Sequence, residues 1–150
     1  MCIFDGMLSF FSAFLANFPR LATRVPHPKD WIRRGDLHLR RAELNDALKC
    51  YRKAARISSG SIEIWKKEGI ILGMMGRYME AIVAFDQAAK VNPIDFQVWM
   101  HHGFTLWRLE RWREARCCFE RAIAVEPEDE YARYCREVSQ EELVKVGIKP

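Results

Sequence analysis

The chain has 150 residues, 49% of them hydrophobic and 29% charged, a globular balance with enough length for one domain with its own core. The net charge of +4 is small, yet residues 28–61 hold nine Lys/Arg against four Asp/Glu, while every later segment is neutral or slightly acidic. Cys2, Cys50, Cys117, Cys118 and Cys135 form an odd count without a Cys-x-x-Cys pair. They fit neither a disulfide framework nor a common zinc spacing and read as reduced thiols of a cytoplasmic protein.

The first 27 residues begin with an apolar run, Met7 to Phe18. No basic residue precedes it and Asp5 does, which argues against a signal peptide, and it falls short of the ~20 residues that cross a bilayer. Phe4, Met7, Phe11, Phe14, Leu15 and Phe18 recur at helical spacing, with Ser9, Ser12, Ala13 and Asn17 on the other side. An amphipathic helix ending at Pro19 is therefore predicted, followed by a linker to residue 27.

From residue 28 the chain repeats itself. Trp31, Trp65 and Trp99 stand 34 residues apart, as do Gly35, Gly69 and Gly103. The same step separates Ala47, Ala81 and Ala115, then Tyr51, Phe85 and Phe119, then Ala54, Ala88 and Ala122; Pro93 and Pro127 follow it, with Ser59 in the first copy. Trp and Gly at i and i+4 share one helix face, the indole supplying buried area and the glycine a close approach. After a turn such as Met75-Gly76-Arg77, a second helix sets Ala, aromatic and Ala on one stripe, so large and small groups interdigitate. Three helical hairpins follow: ~28–41 with ~45–58, ~62–75 with ~79–91, and ~96–109 with ~113–125. Ser61, Asp95 and Asp129 are placed to cap the helices that they precede.

Beyond the third hairpin, Asp129 to Ser139 reads as one more helix that covers the stack with Tyr131, Tyr134 and Cys135 and keeps Arg133, Arg136 and Glu137 in water. Ser139 and Glu142 resemble a capping box opening a final short turn.

These columns resemble the tetratricopeptide repeat, whose 34-residue signature is Trp, Leu-Gly, Tyr, Ala, Phe, Ala, Pro. The resemblance covers residues 28–61, 62–95 and 96–129 in three copies, with 130–150 as the capping helix and tail. Two columns depart from the family pattern. Arg34, Glu68 and His102 stand where Leu precedes the glycine, a polar column expected to face solvent. His38, Leu72 and Leu106 stand where the family favours Tyr. The resemblance implies an all-α, right-handed solenoid and a scaffold that binds an extended peptide or a partner helix in its concave groove, without catalysis or cofactor. The groove stripe carried over from the family is Lys29, Ile32, Asp36, Leu39 and Arg40, then Glu63, Lys66, Ile70, Gly73 and Met74, then Gln97, Met100, Phe104, Trp107 and Arg108. The family's two-carboxylate clamp for chaperone tails falls here on Ile32, Asp36, Lys67, Gln97 and His101. Lys67 is the one cation among them, which argues against that ligand.

Met100, Phe104 and Trp107, at i, i+4 and i+7, form an apolar ridge beside the core stripe and are the expected centre of binding. The N-terminal amphipathic helix is expected to dock near Ile70, Phe104 and Trp107, a helix laid into a groove. Two other partners remain open: a membrane surface through that helix, and RNA through Arg33, Arg34, Arg40 and Arg41. No nucleophile–base motif is present. Adjacent His101 and His102 diverge by about 100° on a helix, as do Cys117 and Cys118, so neither pair holds one metal ion. Partner identity and oligomeric state are not written in the sequence.

Overall fold

The structure, a computed structural model, describes residues 27–147. The amphipathic helix expected at residues 4–18 lies outside that range. The described residues form seven helices: α1 (Pro28–Arg40), α2 (Leu44–Ile57), α3 (Ile62–Met74), α4 (Tyr78–Val91), α5 (Phe96–Arg108), α6 (Trp112–Val125) and α7 (Glu130–Lys145). Helices pair as α1/α2, α3/α4 and α5/α6, each pair stacks on the next, and α7 packs on α6.

Local chemistry sets the ends. Asp95 and Asp129 accept hydrogen bonds from the amides of Val98 (2.9 Å) and Ala132 (2.6 Å), as their positions predict. Ser61, expected in the same role, makes no side-chain cap bond. His27 caps α1 instead: its ring accepts from the Lys29 amide while Asp30 accepts from the His27 amide. Within each hairpin the turn passes through one left-handed residue, Ala42 (φ 58°), Gly76 (φ 73°) or Glu110 (φ 56°). The next amide then reaches back to the first helix, from Glu43 to His38, Arg77 to Leu72 and Arg111 to Leu106, at 2.9–3.0 Å. Glycine adopts that backbone freely, whereas Ala42 and Glu110 carry about 1–2 kcal/mol of strain.

The phased columns do the packing. A Cβ added at Gly35, Gly69 or Gly103 would meet the ring of Tyr51, Phe85 or Phe119 at 2.9, 2.7 or 2.6 Å, so each glycine is the flat against which the second helix lays its aromatic face. The three aromatics and the alanines of both flanking columns are fully buried or nearly so. The tryptophans tie hairpin to hairpin: the indole N–H of Trp65 donates to the carbonyl of Ser59, and that of Trp99 to Pro93, both at 2.7 Å.

The column Arg34, Glu68, His102 does not face solvent throughout. Glu68 and His102 are each only 7% exposed, because this column looks at the second helix of the preceding hairpin. Arg52 of α2 donates to Glu68 at 2.8 Å, and Asp86 of α4 lies 4.0 Å from the His102 ring, which stacks with Phe85 and Trp99. Arg34, on the first described helix, alone is exposed, and its guanidinium lies over Trp31. One oxygen of Glu68 and Nδ1 of His102 are buried without a hydrogen-bond partner.

The last helix also differs from expectation. It runs six residues past Ser139, which is not a cap but a fully buried residue. The Ser139 hydroxyl donates to the Cys135 carbonyl (2.8 Å) and accepts from the Trp107 indole (2.7 Å). Its packing stripe is Ala132, Cys135, Ser139 and Leu143, whose small members let α7 lie close on the stack. Tyr131 and Tyr134, expected to cover the last repeat, are mostly exposed, although the Tyr131 ring reaches Phe104 at 5.9 Å.

Burial pushes both His101 and His102 below their ordinary pKa of 6.5; Lys66 lowers His101 further, while Asp86 partly opposes the effect at His102. The folded state thus takes up these protons less readily than the unfolded chain, and the stability this carries is present above pH 6.5 and lost as pH falls below it through the lowered folded-state values. Thermal melts should show Tm dropping between about pH 7 and 5, with a flatter profile in a His101→Gln, His102→Gln variant. An unchanged profile in that variant would assign the drop to other groups. Asp36, whose loss belongs near and below pH 4, titrates in a separate window.

Candidate interaction groove

The first helices of the second and third hairpins, α3 and α5, touch each other directly. Between α3 and α5 lies an open, mainly apolar cavity of about 390 Å³. Gly73 leaves space in its lining, while Gly69 and the Phe85 ring packed on it close the cavity beneath. Its walls are Ile70 and Met74 of α3, Tyr78 of α4, and His101, Phe104, Thr105 and Arg108 of α5. No atom stands within 4 Å of where a Cβ on Gly73 would be, so this glycine holds the space open without being packed upon.

Five residues of the expected stripe meet here: Ile70, Gly73, Met74, Phe104 and Arg108. Met74 is 62% exposed, a large apolar side chain standing in water. The rest are placed otherwise. Lys29 and Arg40 of α1 are exposed, while Ile32 and Leu39 pack partly into the core of the first two hairpins. Exposed Glu63 approaches Lys66 and Lys67, and exposed Gln97 accepts from Lys66 at 3.1 Å. Met100 is only 6% exposed, and Trp107 turns to α7, where Ser139 takes its N–H and Phe119 and Trp112 surround its ring. The ridge Met100–Phe104–Trp107 is therefore not an exposed surface. The stripe of α5 that lines the cavity is His101, Phe104, Thr105 and Arg108, rotated by one residue, because the neighbouring stripe is taken up by packing and by the capping helix; Arg108 is exposed, His101 and Phe104 are half-buried and Thr105 is buried. Sequence reasoning missed Tyr78 and Thr105, and named His101 only as a position of the chaperone-tail clamp. The signal for Tyr78 was available in the column Leu44, Tyr78, Trp112, the bulky first residue of each second helix.

Charge in the groove is largely compensated on the side of the first hairpin. Asp36 accepts from the Tyr51 hydroxyl (2.6 Å) and from Lys67 (2.5 Å). Burial opposes its ionisation, but those two hydrogen bonds and the charges of Lys67 and Arg40 hold its carboxyl below the usual range. Lys66 is engaged by Asp95 at 3.4 Å. Arg108 is different: it stacks on Tyr78 and donates to the Tyr78 hydroxyl at 3.1 Å, and among the described residues no carboxylate comes within ion-pair distance of it.

Sequence reasoning also did not foresee His38, Glu43 and Asp46, whose ligand atoms lie within 4.8 Å of one another at the α1–α2 turn. They are half-exposed or exposed, His38 pairs with Glu43 at 2.6 Å and Asp46 with Lys49 at 2.8 Å, so each is already satisfied. Among the described residues no helix is long and apolar enough to cross a membrane.

No protein-family model and no curated protein sequence matches the chain. Solved structures do. The first TPR domain of Spaghetti (RPAP3), bound to the HSP90 peptide SRMEEVD, superposes with a TM-score of 0.74 at 15% identity, over 78% of this chain and 93% of that one. MamA from Desulfovibrio magneticus gives 0.72 at 25% identity over 77% and 65%. The TPR2B domain of yeast Sti1, in its complex with pHsp70, gives 0.68 at 12% identity over 79% and 97%. With tryptophan, glycine, alanine and aromatic columns in phase and hairpins that superpose on these domains, the chain has the tetratricopeptide-repeat fold.

Proposed function

We propose that this chain is a protein-interaction adaptor whose concave cavity receives a large apolar side chain from an extended peptide or a partner helix. The observation that carries this reading is the open cavity between α3 and α5, lined by exposed Met74, half-buried Phe104 and the unfilled space beside Gly73. Apolar surface of this kind on a concave face is stabilised by being covered. Two of the similar domains are complexes with chaperone sequences. A chaperone-tail clamp is not the reading for this chain, because Lys67, the single cation at the clamp positions, is engaged by Asp36 and Glu63. The basic first repeat does not extend along the groove, since Lys66 and Lys67 are both ion-paired, so the nucleic-acid alternative has little support. The cytoplasm is the proposed location.

The chain's own residues 4–18 are the internal candidate for the same cavity, with six apolar residues at helical spacing and no apolar face assigned to them. On this reading they compete with an external partner. Met74→Asp places a charge in the cavity mouth without disturbing the core, so the variant should melt within a few degrees of the parent yet lose the partners that the parent retains in an affinity pull-down. A chain lacking residues 1–24 should bind more apolar dye and more partner. Partner retention unchanged in Met74→Asp would put the binding surface elsewhere, and unchanged dye and partner binding in the truncated chain would remove the internal competitor.

A further inference from the structure

The cavity carries a sign as well as a shape. Arg108 stands at its rim, at the end of α5, with its guanidinium 5.7 Å from the centre of the Tyr78 ring and its Nε donating to the Tyr78 hydroxyl. This holds the fork in place while leaving its other N–H groups unspent by any carboxylate among the described residues. The two lysines of α3 differ: Lys66 faces Asp95 and Lys67 faces Asp36. A guanidinium pre-positioned on an aromatic face beside an apolar recess forms a bidentate carboxylate-binding group at low entropic cost. The equivalent register position two repeats earlier is Arg40, exposed on α1, with Met74 between them in the column.

We propose that the Arg108–Tyr78 pair determines specificity, selecting a partner segment in which an Asp or Glu side chain stands beside the large apolar residue that fills the cavity. The segment is internal to the partner and needs no free C-terminus, since the clamp positions do not offer uncompensated cations. An extended chain advances about 3.3 Å per residue, so an acid within about two or three residues of the apolar anchor reaches from the cavity to its rim. This inference rests on the groove reading above and narrows it.

The test is selection of a random internal-peptide library, displayed with both ends blocked, on the full-length chain and on Arg108→Glu. Exposed Arg108 makes no core contact, so the variant folds, which circular dichroism checks. Parent-selected peptides should share a large apolar residue with a nearby Asp or Glu. Changing that acid to Gln or Asn should weaken binding roughly tenfold, and the Arg108→Glu selection should replace the acid by Lys or Arg. Blocking the C-terminus should leave affinity unchanged. An apolar consensus with no acid, or one equally enriched on Arg108→Glu, would overturn the role of Arg108 while the groove reading stands. Affinity that requires a free C-terminal carboxylate would also overturn it. No enriched consensus, or a chain that prefers single-stranded RNA to every peptide with the same Met74 dependence, would overturn both.

Discussion

Phe85→Ala is expected to cost about 3–5 kcal/mol of stability, the largest effect of any single change considered, because it empties the centre of the middle hairpin. Phe85 is 1% exposed and lies across Gly69, under the cavity and in ring contact with His101 and His102. Neighbouring hairpins stack on both sides, so the space cannot collapse by moving one loop. The glycine supplies the matching half of the argument. Gly69→Ala drives a Cβ to 2.7 Å from the Phe85 ring and should cost about 1–3 kcal/mol, overpacking outweighing the up to ~1 kcal/mol that alanine gains in a helix. In a Phe85→Leu background the same Gly69→Ala change should cost markedly less, because the flat ring that it strikes is absent. Gly73→Ala, one turn along with nothing nearby, should instead stabilise by about 0.5–1 kcal/mol while narrowing the groove. Denaturant unfolding of Phe85→Ala, Gly69→Ala, Phe85→Leu, the Phe85→Leu, Gly69→Ala double variant and Gly73→Ala checks the set. Equal costs for Gly69→Ala with and without the Phe85 ring would mean that the glycine column has another reason.

The second large effect concerns Trp107. Had it stood free on the groove, its loss would have touched binding alone. Its indole is edge-on to Phe104, Trp112 and Phe119, and its N–H is spent on Ser139 of the capping helix. Trp107→Ala should therefore cost about 3–4 kcal/mol and release α7, because it removes both the packing and the one side-chain hydrogen bond that α5 makes to that helix. Trp107→Phe keeps most of the packing and should cost about half as much. Amide hydrogen exchange read along α7 would show protection falling first at Ala132–Leu143 in the alanine variant. Protection of α7 equal to that of the parent would break the link between this tryptophan and the cap.

How much of this was legible beforehand depends on whether the determining contact is local. The boundaries of the six repeat helices were, since turns and the 34-residue phase are written within each repeat and the buried columns repeat the same volumes three times; the end of α7, outside the repeat, was not. The turns through Ala42 and Glu110 were not, because neither residue is one that favours a left-handed backbone; the hairpin imposes it. The column Arg34, Glu68, His102 was misread for a related reason. Polarity at one position says how a side chain meets water, but Glu68 and His102 meet Arg52 and Asp86 from the preceding hairpin, 16 residues away in each case.

For the groove the division is sharper. Periodicity places Ile70, Met74, Phe104 and Arg108 on first helices, and the family resemblance points them to the concave side. It cannot decide whether the ridge Met100, Phe104 and Trp107 on α5 is open or covered, because spacing alone does not say what packs on it. The capping helix decides it, taking Trp107 by a hydrogen bond to a serine 32 residues away and leaving His101, Phe104, Thr105 and Arg108 to line the cavity, with Arg108 exposed at its rim. What the sequence determined alone was the repeat: helices, turns and a nested core follow from side-chain volumes at short, regular spacing. What tertiary structure decided was exposure, for a face is open or covered only by virtue of elements distant in the chain, and no single repeat contains its own neighbour.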